Sequence, residues 1–171
     1  MTPIETNRLV LCRYEDGDAA DLVLLANDWA ISRWIPPIPH PYGDEDARDF
    51  ISEAQTLVDQ EREYQLAITR RSDGALMGTV GLHVASRSIP ELGYWLGKPF
   101  WGKGYATEAA QGMIGFAGGL GLATLMARVF DGNDASAHVL ANTGFALTET
   151  VEIPEPVRGH KRYGIYQRHV R

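Results

Sequence analysis

The spacing of apolar and polar residues along the chain predicts seven strands and four helices. Alternating or β-rich runs predict strands at 6–13, 64–68, 75–85, 88–96, 124–130, 145–153 and 163–170. Apolar residues three and four positions apart predict helices at 16–27 and 44–60, a third that begins near Ala106, and a short fourth that ends at Gly144. Asp16 or Asp18 is the expected N-cap of the first helix, and Asp44 that of the second.

The resulting order, β-α-α-β-β-β-α-β-α-β-β, indicates an α+β fold. Consecutive strands predict a mostly antiparallel sheet, and the β-α-β unit in the middle of the chain predicts one crossover, so a doubly wound sheet fits less well. At 171 residues the chain is long enough to bury a substantial core. We expect one domain that spans residues 1–171.

Composition and charge narrow the class of protein. A hydrophobic content of 44% with 22% charged residues is typical of globular proteins. The net charge of −6 argues against a chain built to hold nucleic acid, which needs a basic surface. A single cysteine, Cys12, suits a reducing cytoplasm, and its alternating neighbourhood predicts a strand or core residue rather than a nucleophile. Since no apolar run is long enough for a membrane helix, we expect a cytoplasmic protein.

A proline-rich segment over residues 29–42 is the first candidate for a binding surface. Four prolines within positions 36–41 disfavour regular structure. The segment also carries Trp29, Trp34 and Tyr42, so it is either the wall of a cleft or a loop whose aromatic side chains pack on the core. His40 is a candidate base or a solvent-facing loop histidine.

A glycine-rich loop at mid-chain is the second candidate. It follows the strand at 88–96 and contains Gly102 and Gly104 just before the helix that begins near Ala106. Backbone amides at a helix N-terminus, with no side chain in the way, make a site for phosphate oxygens. The alternatives are a turn without a ligand, a loop that binds a dinucleotide and a loop that binds a nucleoside triphosphate. The last two fit poorly, because the third glycine and the Ser or Thr after Gly-Lys are missing.

The string Gly-Tyr-Trp at 93–95 followed by Trp-Gly-Lys-Gly-Tyr-Ala-Thr-Glu-Ala at 101–109 closely resembles the acetyl-CoA loop of the GCN5-related N-acetyltransferases (GNAT). Within that superfamily it resembles the branch of the ribosomal-protein-alanine N-acetyltransferases. The general family pattern has Gln or Arg where Trp101 stands, so the match rests on Gly102, Gly104 and Ala106. The resemblance covers nearly the whole chain and implies the GNAT fold, with a splay at the centre of the sheet.

The resemblance also implies which residues hold acetyl-CoA. The loop amides would bind the pyrophosphate, and the strand before the loop would bind the pantetheine arm. The residues implied are Tyr94, Trp95, Leu96, Trp101, Gly102, Lys103, Gly104, Tyr105, Ala106, Thr107, Asn133 and Ser136. No metal is expected.

A second family signature, Asn-x-x-Ser … Gly-Phe, is similar to residues 133–145. It places Asn133 on the pantetheine side, although an asparagine here is also a good helix N-cap. Many superfamily members use a Tyr on this helix to protonate the leaving thiolate. This segment has none, and Ser136 falls where the ribosomal-protein branch uses a serine for that step. Its alternative is a solvent-facing serine in the first turn.

Two carboxylates are candidates for the general base. Glu155 falls where related enzymes carry an acidic residue before a turn, and it is preferred over Glu91, which opens the splayed strand and is otherwise a strand-end charge. Trp34 and Tyr42 are the predicted contacts to the acceptor. Glu108 is interpreted as a first-turn acid stabilised by the helix dipole.

The pKa of the acceptor bears on the need for a base. An α-amine has a pKa of about 7.7–8.0, so roughly a tenth is neutral at pH 7, whereas a lysine-type amine with a pKa of about 10.4 is neutral only about 0.04% of the time. Weak candidate bases therefore favour an α-amine acceptor.

We hypothesise an acetyl-CoA-dependent N-acetyltransferase that acts on the α-amine of a protein or peptide, by direct attack of the amine on the thioester. The alternatives are an acetyltransferase for small amines such as polyamines, amino acids or antibiotics, and a non-catalytic acyl-CoA-binding module. A Rossmann-type cofactor protein is a more distant one. Nucleic acid and membrane are not expected partners, and the chain is expected to be a monomer or a homodimer.

Overall fold

The computed structural model describes residues 1–84 and 88–170. Within these residues eight strands form one sheet in the order β1-β2-β3-β4-β5-β6-β8-β7. The strands are β1 (Ile4–Glu5), β2 (Leu9–Cys12), β3 (Glu63–Arg70), β4 (Leu76–His83), β5 (Glu91–Leu96), β6 (Thr124–Phe130), β7 (Ala146–Val157) and β8 (His160–His169). The helices are α1 (Ala19–Ala26), α2 (Trp29–Ser32), α3 (Asp44–Asp59), α4 (Tyr105–Gly119) and α5 (Asp134–Asn142).

The strand pairing confirms the predicted α+β class. Adjacent strands pair antiparallel, except for β5 and β6, which are parallel and are joined by the crossover helix α4. The sheet has eight strands where seven were predicted, because the two-residue strand β1 adds to its edge by pairing with β2. The fifth helix is the single turn α2.

Helices cover the two faces of the sheet with separate cores. Leu66 and Ile68 of β3 belong to the core under α4 and α5. Ala67, between them in the strand, belongs to the core under α1 and α3. Since successive side chains of a strand point to opposite faces, the helices must lie on opposite sides. Ala110 and Met113 of α4 are fully buried, and such small or flexible residues let this helix lie close to the sheet.

Some predicted boundaries were wrong for local reasons. The segment 29–42 was expected to lack regular structure, but its first four residues form α2, whose Asp28 N-cap accepts a hydrogen bond from the backbone of Ala30. The prolines that disfavour a helix come only afterwards. Asp44 is not the N-cap of α3. Gly43 takes that position, and its backbone amide donates to Asp46.

The last hairpin is longer than predicted. β7 continues past Ile153 to Val157, although Pro154 and Pro156 lie in this stretch. This is possible because β7 is an edge strand, where a proline need not donate to a ladder. Ala85, the predicted end of the strand β4, lies outside the described residues.

Substitution of Gly78 by Ala tests the close contact of β4 with β5. A Cβ atom at Gly78 would lie 2.1 Å from the carbonyl oxygen of Trp95 and 2.8 Å from Cα of Leu96. Because both neighbours are backbone atoms, the strand itself must move. We expect Gly78→Ala to lower the free energy of unfolding by about 2–3 kcal/mol in urea denaturation.

The matched control is Gly115→Ala in α4, where a Cβ atom would meet nothing within 4 Å. This substitution should raise the free energy of unfolding by up to about 1 kcal/mol through helix propensity. Equal stabilities of the two variants would contradict the model of β4–β5 packing.

Candidate active site

The central feature of the site is the separation of β5 from β6. Among the described residues, the two strands share one register pair, Glu91 with Met126, and one flanking hydrogen bond from Met126 N to the carbonyl of Pro90 at 2.9 Å. Beyond that pair, β5 is registered with β4 alone. The strands therefore diverge toward the C-terminal end of β5, which leaves the edge of residues 93–96 facing a gap. This confirms the expected splay.

The loop that follows β5 is exposed over residues 101–104 and leads into the first turn of α4. Gly102 and Gly104 have φ of 70° and 76°, in the left-handed region that favours glycine. A Cβ atom at Gly102 would meet nothing within 4 Å, so the space above the loop is open. Gly104 is the N-cap of α4, and the amides of its first turn have no partner within the helix. These residues fit a ligand with phosphate oxygens.

Two side chains of the loop turn back and fix its shape. Nε1 of Trp101 donates to the carbonyl of Leu96 at 2.6 Å, and Nζ of Lys103 donates to the carbonyl of Pro99 at 2.8 Å. The indole of Trp101 nevertheless stays 47% exposed, so one of its faces is open to a ligand. The side chain of Lys103 therefore stabilises the loop, and its backbone amide is one of the amides of the loop.

Glu108 joins this loop to the start of the sheet. Its carboxylate accepts hydrogen bonds from Oγ1 of Thr6 at 2.7 Å, from the backbone amide of Arg8 at 2.6 Å and from Nε of Arg8 at 2.7 Å. Arg8 also donates to the carbonyl of Lys103 at 3.0 Å. Burial disfavours the charged carboxylate, but the hydrogen bonds from Thr6 and Arg8 outweigh it and lower the pKa of Glu108. The interpretation as a first-turn acid is thus incomplete, because the residue positions the loop.

A hydrogen bond crosses from β5 to α5 at the gap. The hydroxyl of Tyr94 lies 3.1 Å from both Oγ and the carbonyl oxygen of Ser136. Burial raises the pKa of Tyr94 to about 12, and the hydrogen bond with Ser136 only partly offsets that effect. Near neutral pH the phenol therefore keeps its proton. Asn133 acts as the N-cap of α5, since its side chain accepts from the backbone amide of Ser136 at 3.3 Å.

The face of the sheet opposite α4 carries a group of polar side chains beside the gap. We call Glu63, Gln65, His83, Glu91 and Arg128 the polar recess. Nδ1 of His83 lies 2.7 Å from Oε2 of Glu63, and Nε of Arg128 lies 2.9 Å from Oε1 of Glu91. Glu91 is thus paired with a guanidinium group, and its side chain is only 11% exposed.

The second predicted base lies elsewhere. Glu155 is exposed on the edge strand β7, in the bulged stretch between Glu152 and Val157. It precedes by three residues Arg158, which donates to the carbonyls of Ser32, Ile35, Pro36 and Ile38. Glu155 therefore belongs to the hairpin that holds the proline-rich segment.

Residues 29–42, which we call the acceptor segment after its expected role, contact the β7–β8 hairpin and the turn after β6. Trp34 stacks on His160 with ring centroids 4.7 Å apart, and His160 stacks in turn on Phe130 at the end of β6 at 4.5 Å. Trp34 also approaches Gly132, just before α5. Tyr42 is only 6% exposed and belongs to the core under α1 and α3. Its position favours packing over the predicted contact with an acceptor.

Sequence reasoning missed the residues whose roles depend on strand register. Glu63 and His83 gave no motif, because they are twenty residues apart and meet only through pairing of β3 with β4. Arg158 was likewise not singled out. In the sequence, the one available sign of this polar group was that polar residues stand at the ends of the predicted strands.

A model of the acetyltransferase (GNAT) domain matches residues 8–146, so the chain belongs to this family. The uncharacterized N-acetyltransferase YoaA of Bacillus subtilis (strain 168) is 30% identical over 149 residues, which cover 85% of this chain and 84% of that protein. The ribosomal-protein-S5-alanine acetyltransferase from Vibrio fischeri has the same fold. Its TM-score is 0.81 at 20% identity, over 99% of this chain and 97% of that one.

A third similar protein, the microcin C7 self-immunity acetyltransferase MccE, was solved in complex with acetyl-CoA and AMP. It gives a TM-score of 0.82 at 23% identity, over 96% of this chain and 94% of that one. The domain match confirms the resemblance of the chain to the GNAT family. The chain is an N-acetyltransferase of the GNAT family, with acetyl-CoA as the acetyl donor.

Neither a metal cluster nor a membrane span is found in the described part of the chain. No three His, Cys, Asp or Glu side chains within residues 1–84 and 88–170 are grouped to hold a metal ion. In the same residues no helix combines the length and apolarity needed to cross a membrane.

Substitution of Glu108 by Gln tests the anchoring of the loop. It removes the negative charge that three donors share, so we expect the free energy of unfolding at pH 7 to fall by about 1–2 kcal/mol. Because the pKa of Glu108 is lowered in the folded protein, its stabilising effect is complete above about pH 4.3 and is lost as the pH falls through the lower native pKa.

Urea denaturation of both proteins between pH 7 and pH 3 measures this effect, with the exposed Glu53→Gln as the control. The difference in free energy of unfolding between wild type and Glu108→Gln should become smaller toward pH 3. A difference that stays constant with pH would show that the carboxylate charge is not what stabilises the loop.

Proposed function

We propose that this enzyme transfers the acetyl group of acetyl-CoA to the α-amine at a protein or peptide N-terminus. The observation that carries the proposal is the hydrogen bond between Tyr94 and Ser136, which spans the gap beside the exposed amide loop. The two hydroxyl groups of this bond lie beside the place where, by family resemblance, the thioester is held. When bound, acetyl-CoA supplies an activated acetyl group that an uncharged amine attacks directly.

Each part of the loop and strand has a proposed task. The amides of residues 102–106 bind the pyrophosphate, and Trp101 contributes an exposed indole face next to them. The free edge of residues 93–96 donates and accepts hydrogen bonds along the pantetheine arm. Trp95 and Thr107 belong to the same lining, and Asn133 orients Ser136 through its cap.

Ser136 is the proposed proton donor to the leaving sulfur. Its Oγ lies 3.1 Å from the hydroxyl of Tyr94, so a proton that leaves Ser136 can be replaced from the phenol. The phenol is protonated near neutral pH, so it holds a proton that can pass to Ser136.

On the acceptor side, Trp34 contributes an aromatic surface at the mouth of the gap. Glu91 provides negative charge that attracts an ammonium group, and Glu155 is the predicted base next to the acceptor segment. The carboxylates of the polar recess also favour a second candidate, a small amine with a second positive charge. Glu63 and Glu91 lie in one row with His83 between them and would bind such a cation.

Thiol release from acetyl-CoA, followed colorimetrically, tests the acceptor class with two panels. One panel contains peptides with varied free N-terminal residues, including ribosomal-protein ends. The other contains polyamines, amino acids and aminoglycosides. We expect turnover with peptides and little with small amines. Turnover with small amines alone would replace the proposal by the second candidate. Binding of acetyl-CoA without turnover on either panel would favour a non-catalytic acyl-CoA-binding module.

The proton-donor pair is tested by Ser136→Ala and Tyr94→Phe. Each removes one hydroxyl, and we expect kcat to fall about 10²-fold for Ser136→Ala and about tenfold for Tyr94→Phe. The double variant should be no slower than Ser136→Ala, because the two hydroxyls act in sequence. The Kd of acetyl-CoA should stay within about threefold.

Ser72→Ala, in the turn between β3 and β4, is the control and should leave kcat unchanged. Ser136→Ala with wild-type kcat would exclude the serine as the proton donor.

A further inference from the structure

His83 is held over the splayed strand by its neighbours in the polar recess. The registers of β3, β4 and β5 place Glu63, His83 and Glu91 in one row across the sheet. Side chains that face each other in such a row have Cβ atoms about 4.5–5.5 Å apart. Their strand neighbours Tyr64, Leu82 and Leu92 point into the core under α4. The row therefore faces the opposite side, away from that helix.

Two glycines make room for the imidazole beside the gap. Gly81 and Gly93 are register partners, next to the row of His83. A Cβ atom at Gly93 would lie 4.0 Å from Nε2 of His83, and one at Gly81 would lie 2.6 Å from Oε1 of Gln65. The imidazole thus lies over the strand whose far edge faces the gap. His83 is also reachable, since its side chain is 30% exposed.

The hydrogen bonds of His83 resemble those of a general base. Nδ1 lies 2.7 Å from the Glu63 carboxylate, which can only accept, so Nδ1 carries the hydrogen. In the neutral ring Nε2 then has a lone pair, and the side-chain amide of Gln65 lies 3.2 Å from it. If Nε2 gains a proton, the amide of Gln65 can turn and present its oxygen. A carboxylate and an imidazole are thus arranged in series, and the side chain of Gln65 must turn away before the lone pair of Nε2 can meet the acceptor.

We propose that His83 accepts the proton of the acceptor ammonium. Glu63 positions the imidazole ring and stabilises its positive charge, and Glu91 attracts the acceptor. This inference rests on the proposed function, because it needs an amine in the recess. It replaces Glu155 as the base. The charged and titratable groups that face His83 from the described strands are Glu63, Glu91 and, through Glu91, Arg128.

The proton balance of the reaction is complete with these groups. The ammonium gives one proton to Nε2 of His83, which passes it to water. The neutral amine forms the new N–C bond as the C–S bond breaks. The second proton leaves the nitrogen for Nε2 of His83, which passes it to water as well. The sulfur takes a proton from Ser136, and water returns one proton to the Ser136–Tyr94 pair. The products are an amide, a free thiol and one released proton.

The two faces of β5 would then serve the two proton transfers. Gly93 opens the face on which His83 lies, whereas the next residue, Tyr94, points toward α5 and Ser136. Successive residues of a strand point to opposite faces. An amine that enters from the recess therefore meets a thioester whose sulfur lies toward the hydroxyl pair.

The size of the effect depends on the acceptor. A base that only deprotonates the amine can raise the rate by at most the inverse of the fraction of amine that is already neutral. At pH 7 this is about tenfold for an α-amine and on the order of 10³-fold for an alkylamine of pKa about 10.4. His83→Gln should lower kcat/KM by these factors. The loss should shrink as the pH approaches the acceptor pKa, because more of the amine is then already neutral.

The experiment is a pH profile of kcat/KM from pH 6 to 9.5 for wild type, His83→Gln, Glu63→Gln and Glu155→Gln, with the best acceptor of the two panels. We expect His83→Gln to lose its activity mainly below pH 8. Glu63→Gln should keep a base but lower kcat/KM by a smaller factor than His83→Gln, because the imidazole loses the carboxylate that positions its ring. The exposed His169→Gln is the control and should match wild type, and every variant should bind acetyl-CoA normally.

The outcomes separate this inference from the proposed function. Wild-type protein without turnover on any amine would overturn the proposed function and with it the acceptor. Active wild type with a wild-type profile for His83→Gln would overturn the role of His83 alone. A loss that is equal at all pH values, or a pH-dependent loss in Glu155→Gln instead, would also overturn it.

Discussion

The fold depends on two strands that start together and then separate. β5 is bonded along its length to β4, and β6 is bonded along its length to β8, so each strand has one satisfied edge. In the described part of the chain their remaining edges meet at the one register pair Glu91–Met126 and then face each other across a gap. Backbone amides at such an edge need partners, and a ligand with amide groups of its own provides them. The gap is thus a binding site made of main chain.

The crossover helix α4 completes that site because of where it begins. A parallel pair requires a long connection, and here the connection starts with a glycine loop that leads into the N-terminus of α4. Glu108 and Arg8 fasten the first turn of the helix to the start of β2. The loop before α4 is therefore held in a fixed position relative to the sheet. One face of the sheet is occupied by α4, and the polar recess lies on the opposite face.

The order of elements and the donor loop could be predicted from the sequence because both are local. The Gly-x-Gly loop, the strand before it and the helix after it are adjacent in the chain, and β6 was predicted at 124–130, as observed. The recess could not be predicted, because His83 meets Glu63 and Glu91 only through the register of three strands. Tyr42 shows a second limit. An aromatic residue in a proline-rich segment gives no sign of whether its ring points into a cleft or, as here, into the core.

The way in which the acceptor segment is attached has a consequence for how such an enzyme can change its substrate. Arg158 reaches across from the β7–β8 hairpin and donates to carbonyl oxygens of the segment, at Ser32, Ile35, Pro36 and Ile38. Every residue type offers the same carbonyl. Side chains along residues 29–42 are thus free to vary without weakening this anchor, so the acceptor preference that we propose for this segment can change through ordinary substitutions while its position is preserved.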